Sequence, residues 1–257
     1  VSVLADGCPV YTHEVLDSTQ EEARRLVEEG VQPPFWVRAE VQQQGRGRNG
    51  RIWTSTAGNL NATHVRELSA GLAVAPQLSF VAALAVYDTL ASLMPAHDGR
   101  RLELKWPNDV LLAGGKIAGL LLESIQSGHG PGFILLAGFG INLSEPPSDL
   151  SRSTSALGLP LTVDTPATAL ALLHAALDTW LTAWDNGTGF PNIRDAWLSR
   201  AHVPGTPVSV TAGGATRSGQ FVGLNVNGSL LLQTASGHIE TITAGDVCLF
   251  AQAEAIA

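Results

Sequence analysis

The tightest constraint on this fold is a pair of apolar runs with almost nothing between them. Asp109 to Leu112 and Lys116 to Glu123 flank Ala113-Gly114-Gly115. Glycine permits the positive φ that a short hairpin connection needs, so the two runs pair antiparallel. Other β-favouring runs lie at Tyr11 to Leu16, Phe35 to Val41, Leu60 to Arg66, Arg101 to Trp106 and Phe133 to Leu143. Between and after them, helical spacing marks Thr19 to Glu29, Pro76 to Leu93, Thr165 to Asp185 and Asn192 to Ala201. Ser18 and Glu21 have capping-box spacing at the start of the first helix, and Pro76 suits a first helical turn. The Ser/Pro-rich stretch from Ser144 to Pro160 reads as a mobile loop. Together these segments predict an α+β fold, a mixed sheet backed by helices.

Beyond Pro204 the texture changes to short β runs (VSV, GQFVGL, SLLLQT, HIETI, VCLF) broken by Gly and Asn-Gly turns. This predicts a small β-barrel, and a division into residues 1–203 and 204–257. No apolar run approaches the roughly 18 to 20 residues that span a bilayer, and the N-terminus lacks a signal-peptide layout, so a cytoplasmic protein is expected. Cys8 and Cys248 have no CxxC or neighbouring His and read as packing thiols. At a formal net charge of −8, nucleic acid is disfavoured as a partner, and a bound polyanion must meet a local cluster of positive charge.

One such cluster is Gln42-Gln43-Gln44-Gly45-Arg46-Gly47-Arg48-Asn49-Gly50-Arg51, which ends before Trp53. Glycine lets backbone approach an oxyanion and arginine offers bidentate donors to phosphate or carboxylate, so this loop suits an anion. Its composition alone also fits a solvated surface loop or an RGG-like nucleic-acid segment. The only lysines, Lys105 and Lys116, fall close together. In Lys105-Trp106-Pro107-Asn108-Asp109 the proline stops a strand and turns Asn108 and Asp109 out at its end. Hairpin geometry carries Lys116 back towards Asp109. Ser18 and Thr19 form a helix N-cap whose free N–H groups and hydroxyls also suit a polar ring. Gly138-Phe139-Gly140-Ile141-Asn142 is either a close-packed strand end or a place where absent side chains admit a flat base.

Taken in order, DST at Asp17 to Thr19, QQxGRGRxGRxW at Gln43 to Trp53, KWPND at Lys105 to Asp109, GGKIAGLLLE at Gly114 to Glu123 and GxGINL at Gly138 to Leu143 resemble the biotin protein ligases. The resemblance covers essentially the whole chain. It implies a class II synthetase-like biotin/lipoate ligase core followed by an SH3-like barrel. It also implies an ATP-dependent enzyme that makes biotinyl-5'-AMP with Mg2+ and biotinylates a biotin carboxyl carrier protein domain, as a monomer or homodimer.

Carried onto these positions, the family pattern has Ser18, Thr19 and Gln42 hold the ureido ring of biotin, with Gln20 where the family often has Asn. Arg46, Gly47 and Arg48 close over the carboxylate and phosphate. Lys116 meets the carboxylate and α-phosphate, and Arg51, Trp53, Asn108 and Asn142 face the adenylate. Asp109 either orients Lys116 or holds the metal. The loop is expected to be a lid, disordered without ligand and ordered by biotinyl-AMP.

The catalytic segment begins almost at Val1, so the operator-binding domain and repressor function of many members are not expected. Asn61 stands where the family usually has an aromatic or aliphatic residue, which alters the pocket wall there. The alternatives are a lipoate or octanoate ligase of the same superfamily, and a nucleic-acid-binding module built on the Arg/Gly loop.

Overall fold

A computed structural model describes residues 1–95, 98–126, 132–147, 153–160 and 164–249. The chain opens with a hairpin of β1 (Ser2–Val3) and β2 (Pro9–Leu16), of which the first strand is unforeseen by the sequence. The hydroxyl of Ser18 accepts from the Gln20 amide at 3.2 Å and starts α1 (Thr19–Glu28). β3 (Phe35–Gln42) then pairs parallel with β2, the parallel connection running through α1. β4 (Leu60–Leu68), β5 (Leu102–Lys105), β6 (Asp109–Leu112), β7 (Gly115–Gln126) and β8 (Phe133–Ile141) pair antiparallel. The resulting eight-stranded mixed sheet has the order β1-β2-β3-β4-β8-β7-β6-β5.

Alternation along the strands separates two faces. On one, Phe35 and Val37 of β3, Val65 of β4 and Leu136 of β8 pack with Ala23 of α1. On the other, Trp36, Ala62, Ala137 and Phe139 join the main core. That core includes α2 (Leu78–Leu93), α3 (Asp164–Trp184) and α4 (Phe190–Leu198). α2 is apolar around nearly its whole circumference because it lies between sheet and helices, with Leu84, Ala85, Val86 and Leu90 fully buried.

Several expectations need correction. Residues Leu72–Gln77, Pro76 among them, form a 3-10 segment, so the α-helix proper begins at Leu78. With that segment included, Leu72–Leu93 has the length and apolarity to cross a bilayer, contrary to the sequence reading, but half of its most apolar window is buried in the protein. α4 starts two residues earlier than expected because Pro191 occupies its first turn. Of the segment expected to be a mobile loop, the described residues are tied down: Asn59 Oδ1 accepts from the Leu143 and Ser144 amides at 2.9 and 3.1 Å, and Leu157 is buried. Residues 148–152 of that segment lie outside the described residues.

The C-terminal sheet consists of β9 (Thr206–Ala212), β10 (Ala215–Leu224), β11 (Leu230–Gln233), β12 (Ile239–Ile242) and β13 (Asp246–Leu249). It is antiparallel in the order β12-β11-β10-β9-β13, the SH3-like small β unit anticipated from the sequence. The main body grips it through a buried hydrogen bond from Trp106 Nε1 to Gly228 O, 3.1 Å. Cys8 is buried and Cys248 exposed, both as free thiols, so Cys248 is not the packing thiol the sequence suggested.

Candidate active site

A cleft of about 390 Å3 opens on the α1 side of the sheet. Its floor is set by alternation: Gly138 and Gly140 of β8 and Gly119 of β7 turn to the front while their neighbours turn into the core. The absent side chains are needed. A Cβ on Gly140 would overlap the Trp53 indole, and one on Gly138 would lie 2.6 Å from Gln20 Oε1. These glycines are therefore closely packed against the protein's own Trp53 and Gln20.

At one end of the cleft, the turn into α1 presents Ser18, Thr19 and Gln20. Asp17 anchors that turn. Its carboxylate accepts from the Ser18 amide at 2.7 Å and from Arg25 Nη1 and Nη2 at 2.9 Å each. The Arg25 guanidinium holds the Asp17 carboxyl down at about 2. Gln42, at the end of β3, accepts from Thr19 N (2.9 Å) and Thr19 Oγ1 (3.1 Å) through Oε1. Thr63 Oγ1 lies 2.9 Å from Thr19 Oγ1 and 3.2 Å from Gln20 Oε1, and Gln20 Nε2 donates to Leu136 O at 3.2 Å. This end is a buried amide and hydroxyl network suited to a neutral polar ring.

The other end is cationic. β5 and β6 form a hairpin with Trp106-Pro107-Asn108 as its turn, so Lys105 stands directly opposite Asp109. Lys105 Nζ reaches Asp109 Oδ2 at 3.0 Å, and Lys116 Nζ reaches Asp109 Oδ1 at 2.5 Å. Burial pushes the Asp109 carboxyl up, but the Lys116 and Lys105 ammoniums outweigh it and hold the carboxyl below its ordinary value. A bulge aims Lys116. Ala118 pairs with Val110 and Lys116 with Leu111, leaving Ile117 as the extra residue. Ile117 and Ala118 both enter the core, so Lys116 and Gly119 both face the cleft.

The Arg/Gly loop crosses this end as a compact hairpin. Gly47 N donates to Arg51 O (2.7 Å), Trp53 N donates to Gly45 O (2.8 Å), and Arg48–Gly50 makes one 3-10 turn. Arg46 pairs with Glu21 of α1, and Arg51 pairs with Asp246 of β13. Arg48 Nη1 donates to the neutral Asn108 Oδ1 at 3.0 Å. Lys116 Nζ lies 5.8 Å from the centre of the Trp53 ring, within cation–π reach.

Ser18, Thr19, Gln20, Gln42, Arg46, Gly47, Arg48, Arg51, Trp53, Asn108, Asp109 and Lys116 all line this one cleft. Asn142 does not: it borders a small adjoining recess with Trp53 and Lys116, and its Nδ2 donates to Ser155 O at 3.0 Å. Sequence reasoning missed Thr63, Ser55 and the β13 residues Asp246 to Leu249, which line or brace the cleft from distant segments. The Asn61 departure acquires a role. Asn61 Oδ1 accepts from Trp53 Nε1 (3.1 Å) and Ser55 Oγ (3.2 Å), with Gln42 Nε2 at 3.5 Å, so it braces the cleft from beneath.

The profile of the Biotin/lipoate A/B protein ligase family matches residues 12–142, and that of the Biotin protein ligase C terminal domain matches residues 205–249. A biotin–[acetyl-CoA-carboxylase] ligase of Paracoccus denitrificans is 42% identical over 239 residues, 90% of this chain and 96% of that protein. The same-named protein of Mycobacterium tuberculosis is 33% identical over 216 residues, 81% of this chain and 76% of its own length. Among solved structures, a biotin protein ligase from Aquifex aeolicus in complex with biotin and ATP is 28% identical, with a TM-score of 0.73 over 94% of this chain and 98% of that one. With catalytic and C-terminal profiles both matched and a close relative covered nearly end to end, the chain belongs to the biotin protein ligase family.

Proposed function

We propose that this chain is an ATP-dependent biotin–[biotin carboxyl carrier protein] ligase, working in the cytoplasm through a catalytic unit of residues 1–203 and an appended unit of residues 204–257. In the first half-reaction a biotin carboxylate oxygen bonds to the α-phosphorus of ATP and the bond to pyrophosphate breaks, leaving biotinyl-5'-AMP. In the second, a carrier lysine amine bonds to the acyl carbon, loses a proton, and AMP departs. The observation that carries this reading is one cleft with a neutral hydrogen-bonding end at Ser18, Thr19, Gln20 and Gln42 and a cationic end at Arg48 and Lys116. Biotin has the same polarity, a ureido ring at one end and a carboxylate at the other.

Lys116 stabilises charge on the carboxylate and α-phosphate as pyrophosphate leaves, a fixed ammonium in a partly desolvated site. Asp109 orients Lys116, because both its oxygens already face ammonium groups. On that assignment the Mg2+ of Mg-ATP would be held by phosphate oxygens and water without Asp109, and would neutralise phosphate charge. Arg46, Gly47 and Arg48 close over the carboxylate and phosphate, while Arg51, Trp53 and Asn108 face the adenylate, and Asn142 borders the adjoining recess that Trp53 also lines. The Arg46–Glu21 and Arg51–Asp246 pairs are exposed enough to exchange for phosphate at small cost.

ATP–pyrophosphate exchange tests the reading. Exchange that requires biotin, followed by transfer to a carrier domain, is expected. Exchange with lipoate in place of biotin would make the chain a lipoate ligase, and none with either acid would remove the ligase reading.

A further inference from the structure

Behind the cleft, on the core face of the sheet, lies a cluster that the ligase reaction does not use. Cys8, immediately before β2, His64 of β4 and His174 of α3 bring one sulfur and two ring nitrogens within 4.8 Å of one another. A tetrahedral ion bound at about 2.0 to 2.3 Å sets its ligand atoms about 3.5 Å apart, so small side-chain rotations suffice to close the set. His64 supplies a second, independent observation. It is 1% exposed, and among the described residues neither Nδ1 nor Nε2 has a hydrogen-bond partner. A buried imidazole with both nitrogens unsatisfied is a costly arrangement that a ligand would relieve.

His174 is oriented as ligating histidines are. Its Nε2 lies 2.8 Å from Asp6 Oδ2, which places the ring proton on that side and leaves Nδ1 as the acceptor nitrogen. Trp36 Nε1 now donates to Nδ1 at 3.1 Å and would be displaced by an ion. Asp6 is itself positioned by the Cys8 amide, which donates to Oδ1 at 3.0 Å. The cluster lies just beneath the surface: the Asp6 side chain is 59% exposed and that of His174 is 13% exposed. Arg66, the nearest cation in sequence to His64, is paired with Asp178 at 2.5 Å.

We propose that Cys8, His64 and His174 form a binding site for a single Zn2+ ion, with Asp6 orienting His174 from outside. One thiolate and two imidazoles suit zinc better than the oxygen-seeking Mg2+ or Ca2+. The ion would pin the N-terminal hairpin and α3 to β4. On β4, His64 directly follows Thr63, which touches Thr19 on the opposite face.

Cobalt(II) titration of the full chain, demetallated and carrying Cys248→Ser so that Cys8 is the sole thiol, tests the site. The expected result is one Co2+ per chain, a thiolate-to-cobalt charge-transfer band and tetrahedral visible bands, all displaced by Zn2+. Cys8→Ser should abolish the charge-transfer band, and His64→Gln should weaken binding at least tenfold. Because His64→Gln could disturb folding, His174→Gln is titrated beside it and each variant is checked by circular dichroism. A missing band in the parent, or binding unchanged in folded Cys8→Ser, overturns the proposal and marks any bound ion as adventitious. The readout is metal binding, so it stands or falls separately from the ligase activity.

Discussion

Single residues decide the chemistry of the cleft through pairings that span it. Lys116→Met removes the ammonium that pairs with Asp109 and that, in the proposed mechanism, meets the reacting oxygens, while leaving the neutral end of the cleft intact. We expect biotin-dependent pyrophosphate exchange to fall by about 10²- to 10³-fold with biotin affinity changed far less, a loss typical of removing a transition-state donor. Calorimetry for binding and exchange for chemistry separate the two. Asp17 offers a quieter test. With its carboxyl at about 2 in the fold against roughly 3.9 unfolded, its contribution to stability is complete above that unfolded value. The contribution is lost as pH falls from about 4 to about 2. The Asp17–Arg25 pair is 38% and 44% exposed, so Asp17→Asn should cost under about 1 kcal/mol at pH 7, with wild type and variant converging near pH 2 in urea titrations.

At the scale of elements, hairpins place the charged groups. The β6–β7 turn has Ala113 at φ 50° and Gly114 at φ 79°, the geometry that asparagine followed by glycine adopts with least strain. Ala113→Asn should therefore raise the urea midpoint by the equivalent of about 0.5 to 1 kcal/mol without altering activity, since Ala113 is exposed and outside the cleft. The Arg/Gly hairpin is the second such element. Its Arg48 donates to Asn108 in the Trp106-Pro107-Asn108 turn and, in the proposed mechanism, closes over the mixed anhydride. Arg48→Gly should leak biotinyl-AMP, seen as biotin appearing on lysines of an unrelated bystander protein. Selectivity equal to wild type would argue against that closure.

Over the whole molecule, the C-terminal sheet is part of the cleft and not merely appended to it. Asp246 of β13 pairs with Arg51, and Val247 and Cys248 line the same wall. Asp246→Ala should speed proteolysis within Gly45 to Arg51 in the absence of ligand, with protection restored by biotin and an ATP analogue. Equal cleavage rates in the two proteins would mean that β13 plays no part in ordering the loop.

The sequence alone was enough to establish the motifs, the mixed sheet and the residue types at each end of the cleft. Those features are local: Ser18 caps a helix, glycines turn hairpins, and Pro107 ends a strand, each acting on its immediate neighbours. For Gly138 and Gly140 the sequence left open a close-packed strand end or room for a flat base, and only the structure shows them packed against Trp53 and Gln20. What only the tertiary structure decided depends on contacts between distant segments. The extra residue at Ile117 turns Lys116 towards Asp109, and a one-residue bulge leaves no compositional trace. Asn61 reads as a departure from pattern until Trp53, Ser55 and Gln42 are seen to converge on it. Cys8, His64 and His174 read as unrelated residues because their spacing of 56 and 110 positions follows no motif, and only sheet order and helix packing bring them together.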